Sequence, residues 1–121
     1  MKSKSSRKVS LSPRFRIACG KEIALGPGKA ELLQHVAETG SIGKAASRMK
    51  MSYMRAWSLI QTMNRCFQEP LVLATHGGEG GGGAQLTEFG RKILTLYRQL
   101  EKQTAEATWT TWKKIQSHLK I

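Results

Sequence analysis

The sequence predicts a mainly α-helical protein with a small β component: a winged helix-turn-helix with a short N-terminal β-hairpin and a long C-terminal dimerisation helix. Three observations lead to this prediction. Two short helical segments follow one another across a brief turn, a glycine run lies between two short apolar segments, and a long helical stretch comes last. Two helices joined by a tight turn are typical of the helix-turn-helix, whose second helix enters the DNA major groove.

The composition restricts the class of protein. The 121 residues fit one domain, and 20 Lys and Arg against 8 acidic residues give a net charge of +12. Such a balance favours a polyanionic partner, nucleic acid before an anionic membrane. All the acids are Glu, so the residue most used in catalytic triads and calcium loops is missing. No apolar run reaches membrane-spanning length, and a cytoplasmic protein is expected.

The N-terminus divides into two segments. Residues 1–12 are rich in Ser and Lys with little to bury, which predicts a disordered basic arm before a domain over 13–121. In "RFRIACGKEIAL" two short apolar limbs flank Gly20 and predict a hairpin. Cys19 and Cys66 have no C-x-x-C spacing and are interpreted as two small buried thiols.

Three helices are expected next. Pro27 and Gly40 delimit the first, while Ser41 and Ser52 are candidate N-caps of the second and third. In the third, "MSYMRAWSLIQTMNRCFQEP", helical spacing predicts one core face, made of Tyr53, Ala56, Trp57, Ile60, Asn64 and Phe67. The opposite face is polar and basic and carries Met54, Arg55, Ser58, Thr62 and Arg65.

The glycine run "GGEGGGG" lies between "LVLAT" and "AQLT", which are expected to be paired strands. It lacks the Gly-Lys-Ser/Thr ending of a P-loop and the strand-to-helix context of a dinucleotide-binding loop. The remaining interpretations are a solvent-exposed tip or a wing whose N–H groups approach phosphates. The wing interpretation assigns DNA contact to His76, Gly77, Gly78, Gly80, Gly81, Gly82 and Gly83.

The last segment predicts a helix over 88–120, capped by Thr87. Its apolar side chains exceed what one small core can cover, so they are expected to form a homodimer interface. These residues are Ile93, Tyr97, Leu100, Trp109, Trp112, Ile115 and Leu119.

Double-stranded DNA is the expected partner. Arg55 could form a bidentate hydrogen bond with guanine, and other side chains of the recognition helix could reach bases or phosphates. The candidate recognition residues are Ser52, Tyr53, Met54, Arg55, Ser58 and Thr62. The candidate phosphate contacts are Ser41, Lys44 and Lys50, with Lys2, Lys4, Arg7 and Lys8 in the arm.

Residues 13–107 resemble a known family. "GSIGKAASRMKMSYMRAWSLIQTMN", the run "GGEGGGGAQLTEFG" and the helix after it are similar to the N-terminal DNA-binding domain of ModE-type molybdate-responsive regulators, itself similar to the winged helix of LysR-type regulators. Met54 stands where that family often has Lys. In the family, molybdate binds separate C-terminal β-domains. Since nothing in this sequence resembles them, the chain is not expected to sense molybdate itself.

Three functions remain open at this stage. The first is a dimeric, sequence-specific transcription regulator, linked to molybdenum by the resemblance. The second is an architectural protein that binds DNA regardless of sequence. The third, an enzyme using the glycine loop, is disfavoured because the sequence has no local pair of carboxylates and no metal-spaced His/Cys cluster. No enzymatic activity, cofactor or metal is expected.

Overall fold

A computed structural model describes residues 7–75 and 83–120. In chain order its elements are β1 (Ile17–Cys19), β2 (Glu22–Leu25), α1 (Pro27–Thr39), α2 (Ile42–Arg48), α3 (Tyr53–Cys66), β3 (Val72–Thr75), β4 (Gly83–Leu86) and α4 (Glu88–Gln116). The strands form two separate antiparallel pairs, β1 with β2 and β3 with β4. This arrangement is the predicted winged helix-turn-helix with an N-terminal hairpin and a long last helix.

Local sequence signals determine the helix boundaries. The hydroxyl groups of Ser41, Ser52 and Thr87 each accept a hydrogen bond from the backbone N–H three residues further on, at the start of α2, α3 and α4. Each bond satisfies one of the donors that a helix start leaves free. Helix α1 begins at Pro27 and ends at Thr39, and it is capped by Gly40, whose φ of 70° is left-handed.

The core lies where α1 meets the other helices and the β3–β4 pair. Small side chains on α2, Ala45 and Ala46, are buried and allow that helix to pack closely. The largest fully buried side chains are Leu25, Leu32, Leu33, Val36, Ile60, Met63, Leu71 and Leu86. Burying each of these contributes roughly 1.5–3 kcal/mol relative to an exposed position.

The predicted core face of α3 is partly wrong. Tyr53 and Trp57 are 52% and 42% exposed, while the buried positions are Ala56, Ile60 and Met63. The buried stripe therefore runs along i, i+4 and i+7, rotated away from the two aromatic residues. Tyr53 and Trp57 are left on the open side of the helix.

The β3–β4 pair packs against the turn between α1 and α2. Val72 pairs with Leu86 and Thr75 with Gly83, and the Ala84 N–H donates to the Gly40 carbonyl at 3.0 Å. A Cβ at Gly83 would lie 2.8 Å from that same carbonyl oxygen. Gly83, a predicted wing residue, is the first residue of β4, and the close approach to Gly40 leaves no room for a side chain there.

Helix α4 differs from its prediction in two respects. It ends at Gln116, so Leu119 lies beyond the helix that was expected to continue to residue 120. Tyr97, predicted at a dimer interface, is buried within the chain, and its hydroxyl donates to the Phe15 carbonyl at 2.9 Å. This bond fixes the segment before β1 to α4 and leaves Tyr97 inaccessible to a partner.

The N-terminal segment runs along the second half of α4. Residues 7–16 form neither helix nor strand, yet Val9, Leu11 and Pro13 line a cavity of about 340 Å³ with Trp109 and Trp112. The apolar residues of this segment therefore lie beside the two tryptophans, in a part of the chain predicted to be mostly a free arm.

Candidate nucleic-acid interface

The turn between α2 and α3 is held by its own backbone. Lys50 has a φ of 57°, and the Met51 N–H donates to the Ala46 carbonyl at 3.0 Å. A positive φ is uncommon in a residue with a side chain, so the turn sharply redirects the chain between residues 48 and 53. Helix α3 then begins at once, and its first turn faces solvent.

The first two turns of α3 present most of the predicted recognition residues. Ser52, Tyr53, Met54, Arg55 and Ser58 are all exposed, and Met54, at 65%, is the most open of the large apolar side chains that the structure describes. The arrangement offers one guanidinium, hydroxyl groups and an apolar contact on one solvent-facing surface. These are the groups that read base edges in a major groove.

The polar side chains in the second half of α3 are less available for contact with nucleic acid, because they already form bonds within the protein. The Thr62 hydroxyl donates to the Ser58 carbonyl at 3.1 Å, and Arg65 forms a 2.6 Å ion pair with Glu22 of β2. The hydrogen bond and the charge of Arg65 hold the pKa of Glu22 below its ordinary value of 4.5. Thr62, although predicted to contact DNA, has its hydroxyl hydrogen already engaged by its own helix.

Asn64 connects α3 to β3, the first of the two wing strands, β3 and β4. Its Oδ1 accepts from the Leu71 N–H at 2.8 Å and the Val72 N–H at 3.4 Å, and its Nδ2 donates to the Val72 carbonyl at 3.0 Å. Helical spacing predicts Asn64 on the core face of α3 but indicates no role for it. The available signal was an amide among apolar core positions, because a buried polar group requires partners.

Replacing Asn64 with Ala is expected to lower the free energy of unfolding by about 2 kcal/mol, because backbone N–H groups of the buried Leu71 and Val72 lose their acceptor. Chemical denaturation measures this change. Gln99→Ala, at an exposed amide of α4, is the control and should stay within about 0.5 kcal/mol of the parent. Equal stability of the two variants would contradict the bridging role.

A cleft of about 410 Å³ lies between α2, α3 and the wing strands. Its walls combine polar and aromatic groups, with Ser41 and Gly43 at the start of α2, Tyr53 and Trp57 on α3, and Thr75 at the end of β3. The exposed aromatic faces of α3 thus border the space between the helix-turn-helix and the wing.

The residues predicted to contact phosphate differ in whether their side chains already form bonds within the protein. Lys44 and Lys50 are exposed near α3, and within residues 7–75 and 83–120 neither forms an ion pair, nor does Arg55. The Ser41 hydroxyl accepts the cap bond from the Lys44 N–H at 3.0 Å. Arg48 is instead paired with Glu38 at 2.6 Å. A hydrogen bond from Gln34, then one from Arg48, lowers the pKa of Glu38.

Some predicted contacts lie outside the described residues. Arg7 and Lys8 are exposed, while Lys2 and Lys4 lie outside the described residues. The predicted wing contacts outside them are His76, Gly77, Gly78, Gly80, Gly81 and Gly82.

The described residues contain no group of three or more His, Cys, Asp or Glu side chains arranged to hold a metal ion. Among the described helices, none has the length and apolarity required to cross a bilayer.

Two helices joined by a short turn, with the second helix exposed and a two-stranded wing after it, define the class of winged helix-turn-helix proteins. The family model for the bacterial regulatory helix-turn-helix proteins of the lysR family matches residues 28–91. The chain belongs to this family. The matched residues include α1, the helix-turn-helix, the wing strands and the start of α4.

Curated relatives confirm the resemblance to ModE-type regulators. The chain is 46% identical over 78 residues to the molybdenum transport protein ModE of Azotobacter vinelandii, covering 64% of this chain and 29% of that protein. It is 42% identical over 71 residues to the DNA-binding transcriptional dual regulator ModE of Escherichia coli K12, covering 59% and 27% respectively. The chain therefore matches less than a third of the length of these relatives.

Two solved structures share the fold. A crystal structure of the CbnR DNA-binding domain in complex with DNA has a TM-score of 0.58 at 19% identity, covering 73% of this chain and 95% of that one. ArgP from Mycobacterium tuberculosis has a TM-score of 0.51 at 21% identity, covering 70% and 30%. At these identities the similarity establishes the winged helix-turn-helix fold.

Proposed function

We propose that this protein is a sequence-specific DNA-binding transcription regulator that acts as a homodimer. The observation that carries the proposal is the exposed N-terminal half of α3, where Arg55 has no ion-pair partner among the described residues, while Arg48 and Arg65 are paired with glutamates. Arg is the most frequent reader of guanine in the major groove. The net charge of +12 supplies the sequence-independent attraction to phosphate.

The dimer rests on the second half of α4. Among the described residues of this helix, the buried ones end at Tyr97, while Trp109 and Ile115 are 57% and 54% exposed. The helix is about 43 Å long, so its C-terminal half extends beyond the core. Exposed tryptophan and isoleucine on an extended helix are typical of a protein interface. A two-fold dimer would present two copies of α3 to half-sites about one helical turn apart.

We propose that the regulated genes serve molybdenum metabolism. This part rests on the relatives, one of which is named as a molybdenum transport protein and another as a DNA-binding transcriptional regulator. Selecting preferred sites from a random duplex library would define the operator. Its occurrence upstream of molybdate-transport genes is the expected result, and operators confined to unrelated genes would refute the link. We also propose that the protein works in the cytoplasm, where its DNA target lies.

Arg55→Ala is expected to weaken binding to the selected operator by about 1–3 kcal/mol, because a bidentate contact with guanine is lost. Binding to random duplex should change little, so the ratio of specific to random affinity falls. Titrations with both duplexes at one fixed salt concentration measure this ratio.

Lys92→Ala, which removes one exposed positive charge from α4, is the matched control and should preserve the ratio. An unchanged ratio in Arg55→Ala would refute the base-reading role. If the library yields no preferred sequence while the protein binds every duplex, the protein is architectural and the proposed function is wrong.

A further inference from the structure

The two cysteines lie beside the same carboxylate. Cys19 ends β1 and is the cross-strand partner of Glu22 on β2, and side chains of such partners lie on one face of a hairpin. Cys66 ends α3, and its thiol donates to Glu22 Oε1 at 3.6 Å. The end of the hairpin and the end of the recognition helix therefore meet at Glu22.

The Cys19 thiol also affects the Cys66 thiol. Partial burial, then the neighbouring Cys19 thiol and the Glu22 carboxylate, raise the pKa of Cys66. Both cysteines are free, with Cys19 exposed and Cys66 half-buried. The expectation of two buried thiols is thus wrong for Cys19, which is open to small molecules in solvent.

We propose that Cys19 and Cys66 form a redox modification site. A peroxide oxidises the two thiols of one chain to an intramolecular disulfide. The Cys19 thiolate attacks one peroxide oxygen, the O–O bond breaks, and Cys19 becomes a sulfenic acid as hydroxide leaves. The Cys66 sulfur then attacks the Cys19 sulfur, the S–O bond breaks and water leaves. Two thiols and one hydrogen peroxide give one disulfide and two waters.

Glu22 is placed to assist the second step. Its Oε1 accepts a hydrogen bond from the Cys66 S–H, so it is the base that receives the thiol proton as the sulfur attacks and passes that proton to the hydroxide that leaves Cys19 as water. Its Oε2 is held by Arg65 at 2.6 Å, which keeps the carboxylate in position and ionised. Glu22 is a positioning and proton-accepting residue, and the two sulfur atoms are the groups that react.

The direct test is mass spectrometry of the full chain after treatment with hydrogen peroxide and blocking of free thiols. The expected result is a monomeric mass about 2 Da below that of the reduced chain, with tryptic peptides 17–21 and 66–91 joined. Thioredoxin or dithiothreitol should restore both thiols. A sulfinic acid on Cys19 with Cys66 unchanged, or a disulfide between two chains, would overturn the proposal.

Variants separate the proposed chemistry from incidental oxidation. Cys66→Ser should accumulate sulfenic acid on Cys19, detected by dimedone labelling, whereas Cys19→Ser should not label. Glu22→Gln should slow disulfide closure about tenfold while leaving the first oxidation unchanged. Equal closure rates in Glu22→Gln and the parent would remove Glu22 from the mechanism.

A stability measurement provides an independent readout. A disulfide joining residues 19 and 66 restricts the unfolded chain, so the oxidised protein should melt about 10 °C above the reduced one. The Cys19→Ser variant, treated identically, should show no such rise. An oxidised protein that melts at or below the reduced protein would show that this geometry cannot accept the bond.

Discussion

Replacing Trp109 and Ile115 together with Lys is expected to convert a dimer into a monomer at micromolar concentration. Both side chains are more than half exposed on α4 and lie on either side of Trp112 around the helix. Large apolar anchors of this kind carry much of the free energy of an interface. Two buried positive charges would raise the dimer dissociation constant at least about 100-fold.

Sedimentation equilibrium provides the measurement, because a dimer has twice the 13.4 kDa mass of the chain. The matched control, Gln103→Lys with Thr110→Lys, places two new charges on the opposite, exposed face of α4. This control should remain dimeric. A parent protein that sediments as a monomer would refute the dimer, and a dimeric Trp109/Ile115 variant would place the interface elsewhere.

Gly90→Ala is expected to destabilise the fold by about 3 kcal/mol, at the upper end for overpacked sites. Gly90 lies in the first turn of α4, and an added Cβ would meet the backbone carbonyl oxygen of Leu71. That carbonyl cannot move freely, because it accepts from the Thr87 N–H at 2.9 Å. Accommodating one methyl group therefore requires the start of α4 to shift away from β3.

The same substitution at Gly28 provides the comparison. Gly28 lies in α1, and nothing stands within 4 Å of an added Cβ. Gly28→Ala should stabilise the protein by about 0.4–1 kcal/mol, because alanine restricts the unfolded chain more than glycine does. Thermal unfolding of both variants measures the difference, and equal melting temperatures would show that the Leu71 contact does not constrain Gly90.

The sequence predicted what short-range signals determine. Ser41, Ser52 and Thr87 were identified as caps because a hydroxyl at a helix start bonds to the N–H three residues later, whatever the surrounding fold. The exposure of the polar residues Arg55 and Ser58 early in α3 followed from helical spacing. The position of Pro27 and Gly40 likewise fixed α1 within a residue or two.

Contacts between distant residues were not predictable in the same way. Tyr97 has the spacing of an interface residue, but its hydroxyl reaches the Phe15 carbonyl 82 residues away. Gly83 belongs to the glycine run in the sequence, yet its neighbour in space is Gly40. Helical periodicity also could not place Trp57, because an amphipathic aromatic side chain is compatible with either the core or the open face.

The β3–β4 pair is attached to the helices at both of its ends. Asn64 of α3 holds the beginning of β3, and the Gly40 carbonyl at the α1–α2 turn holds the beginning of β4. The folded protein alone therefore fixes the distance between α3 and the wing strands, before any DNA binds. In the proposed DNA complex, duplexes whose grooves do not match that separation would have to deform to fit, so the sequence-dependent stiffness of DNA would contribute to selection at bases that no side chain touches.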